Sequence, residues 1–138
     1  MAMPPLTQVR ILVVDDSQVF RRFVSSRLQE EPNLPVICEV SDGLEAVLKA
    51  EELHPDLILL DIGLPKLNGI EAAKKIHKVA PASKILFLTL NSDPDVVRMA
   101  LSTGAKGYVL KRDAERELLP AIEAVVQGKQ YVSSGMLF

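Results

Sequence analysis

Apolar positions along this chain fall into two alternating patterns. Five short β-rich runs, at residues 9–14, 36–40, 56–60, 84–89 and 107–110, alternate with five segments of helical spacing. VRILVV, DLILL and KILFL are apolar at consecutive positions, and so on both faces of an extended strand. That is the pattern of central strands in a parallel sheet covered by helices on both sides. The helical stripes are Phe20, Phe23, Val24 and Leu28; Leu44, Val47 and Leu48; Ile70, Ala73, Ile76 and Val79; Val96, Val97, Ala100 and Leu101; and Leu118, Ile122, Val125 and Val126. Helix-terminal residues agree with these assignments. Ser17 is placed to cap the first helix, Asp93-Pro94 to open the fourth, and Asp113 to cap the fifth, which Gly128 closes. The order (βα)5 predicts an α/β protein with a doubly wound, five-stranded parallel sheet and right-handed crossovers.

The periodic region spans residues 9–128 and has the size of one domain. Residues 1–8 read as an N-terminal extension, and residues 129–138 as a C-terminal tail or truncated linker. The 138 residues are 48% apolar and 25% charged, with a formal net charge of -2, which gives no general attraction to nucleic acid or anionic membrane. The apolar runs are too short to span a bilayer. The N-terminal MAMPPLTQ lacks the charged and apolar regions of a secretory signal. Cys38 is the single cysteine, which excludes an intrachain disulfide, and within VICEV it reads as a buried strand thiol. These features lead us to expect a cytoplasmic protein with no membrane partner.

Ligands of open parallel sheets bind beyond the C-terminal ends of the strands. Read by strand end, the sequence places Asp15 and Asp16 after the first strand, Asp61 after the third, Thr89 at the end of the fourth and Lys111 after the fifth. Taken singly, an aspartate there reads as a cap and a lysine as a solvated charge. Four strand ends carrying such groups point to one site. Three converging carboxylates repel one another unless a cation neutralises them, and an all-oxygen set suits Mg²⁺. In that arrangement Asp15 and Asp16 are metal ligands, and Asp61 is placed as a nucleophile toward a phosphoryl group. Thr89 and Lys111 are placed to contact its oxygens. The motifs of other phosphate chemistry are missing. Neither G-x-x-x-x-G-K-[ST] nor G-x-G-x-x-G occurs. Neither Asp15 nor Asp61 has the second acid two residues on that a haloacid-dehalogenase-like phosphatase requires.

The segments ILVVDDS, DLILLDIGLPKLNGIEAAKKI, ILFLT and GAKGYVLK, in this order, resemble the receiver domain of bacterial two-component response regulators. GAKGYVLKRDAERELLPAIEAVVQGKQYVSSGM is similar to the LuxR-type (NarL/FixJ-like) regulators. The resemblance implies a flavodoxin-like receiver fold with strand order 2-1-3-4-5. It implies that Asp61 is the phosphoacceptor, phosphorylated by a sensor histidine kinase, and that Asp15, Asp16, Asp61 and the Gly63 backbone carbonyl hold Mg²⁺. Thr89 and Lys111 would be the switch residues, and Tyr108 the aromatic whose rotamer reports activation. It implies control of transcription through a DNA-binding domain outside this chain. A homodimer would form through helix 4, strand 5 and helix 5, or through helices 1 and 5. The alternative is a stand-alone receiver or a pseudo-receiver interaction module; the complete acidic set argues against the pseudo-receiver. Three positions depart from the family pattern. Leu90 stands where many members have a small residue, and either narrows access to the site or packs on the fourth helix. Gly63 lacks the longer polar side chain common there. Arg112 replaces a frequent proline, so no cis peptide is expected after Lys111.

Overall fold

A computed structural model of the chain describes residues 8–134 and Met136; most of the N-terminal extension lies outside the described residues. The elements follow the alternating pattern: β1 (Ile11–Val14), α1 (Gln18–Gln29), β2 (Val36–Val40), α2 (Gly43–Leu53), β3 (Leu57–Leu60), α3 (Gly69–Val79), β4 (Lys84–Thr89), α4 (Pro94–Ser102), β5 (Gly107–Leu110), α5 (Ala114–Val126) and β6 (Tyr131–Val132). All pair in parallel in one sheet of order β2-β1-β3-β4-β5-β6. The expected order 2-1-3-4-5 is therefore present, with a sixth strand added by residues that the sequence reading placed in the tail. A two-residue strand is too short to carry a period, which is why the pattern did not reveal it.

The continuous apolar runs divide between two cores by strict alternation. Ile11 and Val13, with Leu57, Leu59 and Val109, face α1 and α5. Leu12 and Val14, with Ile58, Leu60 and Tyr108, face α2, α3 and α4. Each fully buried Leu or Ile on these faces stabilises the fold by about 1.5–3 kcal/mol.

The expected apolar stripe of α2 is only partly buried: Val47 packs against the core, but the two leucines turn outward. Leu44 and Leu48 are 49% and 66% exposed, and Gly43, Ala46 and Ala50 are buried instead. The cause is close packing of α2 on α3, which itself presents Ala72 and Ala73. A Cβ on Gly43 would lie 1.8 Å from the Leu67 carbonyl oxygen, so this position admits no side chain at all.

Ser17 and Asp93 cap α1 and α4 as expected, accepting from the N–H groups of Phe20 and Asp95. Asp113 does not cap α5. The helix is entered through a 3₁₀ turn at Lys111–Asp113, and the Asp113 carboxylate pairs with Arg116 at 3.3 Å instead. Gly128 follows α5 with φ of 84°, the left-handed conformation that closes a helix. Cys38 is only half-buried, because β2 lies at the sheet edge. Among the described residues no peptide bond is cis, and no helix is long and apolar enough to cross a membrane.

Candidate functional site

Backbone pairing fixes two carboxylates side by side. The Asp15 N–H donates to the Val40 carbonyl at 3.1 Å, and the Asp61 N–H donates to the Val14 carbonyl at 3.0 Å. Both residues thereby continue neighbouring strands by one residue, and both side chains are buried. Asp15 Oδ1 accepts from the Ser17 N–H at 2.8 Å, and Asp61 Oδ1 accepts from the Ile62 N–H at 2.7 Å. The other oxygens share one cation: Lys111 Nζ lies 2.8 Å from Asp15 Oδ2 and 3.1 Å from Asp61 Oδ2. Asp16 is exposed and completes the group, and one carboxylate oxygen each from Asp15, Asp16 and Asp61 lies within 4.8 Å of the others.

One ammonium therefore serves two buried carboxylates, with a third close beside them. Burial raises the Asp15 pKa above the ordinary aspartate value, against the hydrogen bond from Lys111, and the like charge of Asp61 adds to the rise. Burial alone would lower the Lys111 pKa. The hydrogen bond to Asp15 and the charges of Asp61 and Asp15 outweigh it and hold the pKa above the ordinary lysine value. Lys111 Nζ also sits over the Phe20 ring, 4.6 Å from its centroid. The donor set is all oxygen, closely spaced and short of positive charge, which fits a hard divalent cation.

Asp61, Asp16, Thr89, Leu90, Gly63 and Lys111 line one cleft. Thr89 is buried, and its Oγ1 accepts from the Asn91 N–H at 3.3 Å. Gly63 is exposed, with open space where a side chain would stand. Leu90 is 79% exposed, so it does not pack on α4 and stands on the cleft rim. Tyr108 is outside the cleft. It is completely buried beside Phe87, and its hydroxyl donates to the Asn91 carbonyl at 2.6 Å. Burial holds its pKa far above the ordinary tyrosine value.

Three contributors were not singled out from the sequence. Asn91 joins Thr89 to Tyr108 through its backbone, a role that no side-chain pattern could mark. Phe20 was read only as part of a core stripe, and its contact with Lys111 depends on the tertiary fold. Gly69 brings the start of α3 against Asp61: an added Cβ would lie 2.0 Å from the Asp61 carbonyl oxygen. Its signal was present as Asn68-Gly69, in which Asn68 caps α3 by accepting from the Glu71 N–H at 3.0 Å.

A doubly wound parallel sheet with this acidic edge is the architecture of a receiver-type signalling protein. The chain matches the response regulator receiver domain over residues 11–123 and belongs to that family. It is 38% identical to the transcriptional regulatory protein DegU of Brevibacillus brevis over 125 residues, which is 91% of this chain and 53% of that one. It is 37% identical to the transcriptional regulatory protein LiaR of Bacillus subtilis over 126 residues, 91% of this chain and 60% of the relative. The chain thus spans little more than half the length of these curated relatives. Among solved structures, a two-component response regulator of the LuxR family from Aurantimonas sp. SI85-9A1 superposes with a TM-score of 0.89 at 32% identity, covering 94% of this chain and 93% of that one. The receiver is accordingly of the LuxR type.

Proposed function

We propose that this receiver, assigned to residues 9–128, is switched by phosphorylation of Asp61. The observation that carries the reading is the position of the Asp61 carboxylate, at a central strand end with Lys111 on one oxygen and two further aspartates within reach. An Asp61 carboxylate oxygen forms a bond to phosphorus as the bond from phosphorus to the donor nitrogen of a kinase phosphohistidine breaks. Lys111, already against Asp61, meets the charge on the phosphoryl oxygens. The Thr89 hydroxyl has its oxygen engaged by the Asn91 N–H, which leaves its proton to donate to the phosphoryl group. Asp15, Asp16, Asp61 and the Gly63 carbonyl would hold Mg²⁺, whose charge offsets repulsion between the carboxylates and the incoming group. Hydrolysis of the acyl phosphate returns the protein to its resting state.

In this reading the kinase is a sensor histidine kinase and the site of action is the cytoplasm. The output is an altered surface of α4, β5 and α5, used for self-association there or through α1 and α5. The relatives named as transcriptional regulators support a DNA-binding partner domain as the final effector. The test is intact-mass measurement after incubation with acetyl phosphate or phosphoramidate, with Mg²⁺ and with chelator. One phosphoryl group should add in Mg²⁺ alone. An adduct that survives Asp61→Asn unchanged would overturn the assignment.

A further inference from the structure

β5 would be an edge strand, with backbone groups open to solvent, were it not for the segment that follows α5. The Tyr131 N–H donates to the Lys106 carbonyl at 2.9 Å, and the Ser133 N–H donates to the Tyr108 carbonyl at 2.8 Å. Ser133 is buried, and its Oγ accepts from the Leu110 N–H at 2.8 Å. Leu110 immediately precedes Lys111, and Tyr108 precedes Leu110 by two residues. Ser133 thus holds the backbone of Tyr108 and of Leu110, the residue that leads from β5 into Lys111.

The segment is itself anchored from the side. Ser134 Oγ donates to Glu117 Oε2 at 2.7 Å, and Glu117 is buried in α5. Arg116 pairs with the same Glu117 oxygen at 3.1 Å. Tyr131 packs into the core shared by α1 and α5, whereas Met136 packs into the core shared by α2, α3 and α4. The segment therefore crosses the β5 edge from one core to the other.

We propose that Tyr131–Ser134 is a positioning strap for the switch strand, with Ser133 the positioning residue that sets the backbone carrying Lys111. This rests on the phosphoacceptor reading and extends it to regulation of the same site. The strap bonds are fully made in the resting geometry, in which Lys111 bridges Asp15 and Asp61. A phosphoryl group on Asp61 gives Lys111 a new partner, and any displacement of the end of β5 lengthens the Leu110–Ser133 bond. The strap is a two-residue strand, and so opens at low free energy compared with the inner strands. Coupling is reciprocal: if phosphorylation loosens the strap, loosening the strap favours the phosphorylated conformation.

The experiment follows hydrogen exchange at the amides of Leu110, Tyr131 and Ser133 by NMR, before and after treatment with acetyl phosphate and Mg²⁺. Intact mass is measured on the same sample. Phosphorylation should speed exchange at these three amides by about tenfold or more and leave Ile58 and Leu59 unchanged. In Ser133→Ala, Leu110 should exchange fast in both states, and beryllofluoride with Mg²⁺ should bind about fivefold tighter than to the parent. A merely structural strap would lower the melting temperature without changing that affinity. Ser134→Ala, at an exposed position, gives the same comparison should Ser133→Ala fail to fold. A sample phosphorylated by mass but with unchanged exchange at Leu110 and Ser133 overturns the strap. A sample that takes up no phosphoryl group overturns the phosphoacceptor reading beneath it.

Discussion

Asp15 and Glu117 are both buried carboxylates, 2% and 4% exposed, and their pKa values shift in opposite directions. Burial disfavours the charge on both. At Asp15 it prevails, because one lysine is shared with Asp61 and the Asp61 charge adds to the cost. At Glu117 the hydrogen bonds from Ser134 and Arg116 outweigh it and hold the pKa below the ordinary glutamate value. Ionising Asp15 therefore works against folding, whereas ionising Glu117 supports it. Burial alone does not distinguish a functional carboxylate from a structural one; the supply of donors and cations does. Glu117 is complete as it stands, and the aspartate cluster is completed only by something that brings positive charge.

The largest separation between the two sites should come from the cation. Mg²⁺ at one hundred times its Kd should stabilise the parent by about 2.7 kcal/mol over the same protein in chelator, read from urea midpoints. Asp15→Asn should lose that increment and Glu117→Gln should keep it; an equal loss in both would erase the contrast. Next in size, Glu117→Gln should cost about 1–2 kcal/mol near neutral pH, toward the low end because Ser134 and Arg116 can turn to water. A carboxyl whose pKa is depressed by folding stabilises the fold above its unfolded value, 4.5 here, and loses that contribution as pH falls through the folded value. The difference between parent and Glu117→Gln should therefore shrink in urea titrations taken below that pH.

Thr89→Ala should still accept phosphate but should no longer change self-association on phosphorylation, measured by sedimentation. Dimerisation as strong as in the parent would remove Thr89 from the switch. The smallest stability effect belongs to Leu90→Ala. With Leu90 so exposed, the urea midpoint should move by no more than about 0.5 kcal/mol in stability. If its side chain shields the acyl phosphate from water, dephosphorylation will be faster in the variant. An unchanged rate would show that the rim position is neutral.

Most of the fold was legible because buried parallel strands leave long apolar runs, and the bounds of β2, β4 and β5 coincide with the runs read from the sequence. The face of α2 was only partly legible, because beside Val47 it is built from small residues. Gly43, Ala46 and Ala50 carry little hydrophobic signal, so Leu44 and Leu48 dominated the pattern although they face solvent. At the site, the meeting of Asp15, Asp16, Asp61 and Lys111 was legible because topology alone brings strand ends to one edge. Gly69 left a signal in its Asn68 cap, but the contacts of Phe20, Asn91 and Ser133 were not legible. They depend on backbone groups or on which ring lies beneath a lysine, and neither leaves a spacing in the sequence.

In the proposed reading the aspartate cluster is incomplete as it stands and receives a phosphoryl group at one defined carboxylate, Asp61. The most direct test is chemical mapping of the adduct. The protein is treated with acetyl phosphate in Mg²⁺ or in chelator, the acyl phosphate is reduced with borohydride, and the peptides are sequenced by mass spectrometry. Reduction of an aspartyl phosphate leaves homoserine. Homoserine should appear at position 61, formed in Mg²⁺ and absent in chelator. Homoserine at Asp15 or Asp16 instead, or equal labelling of Asp61 without the metal, would contradict that reading.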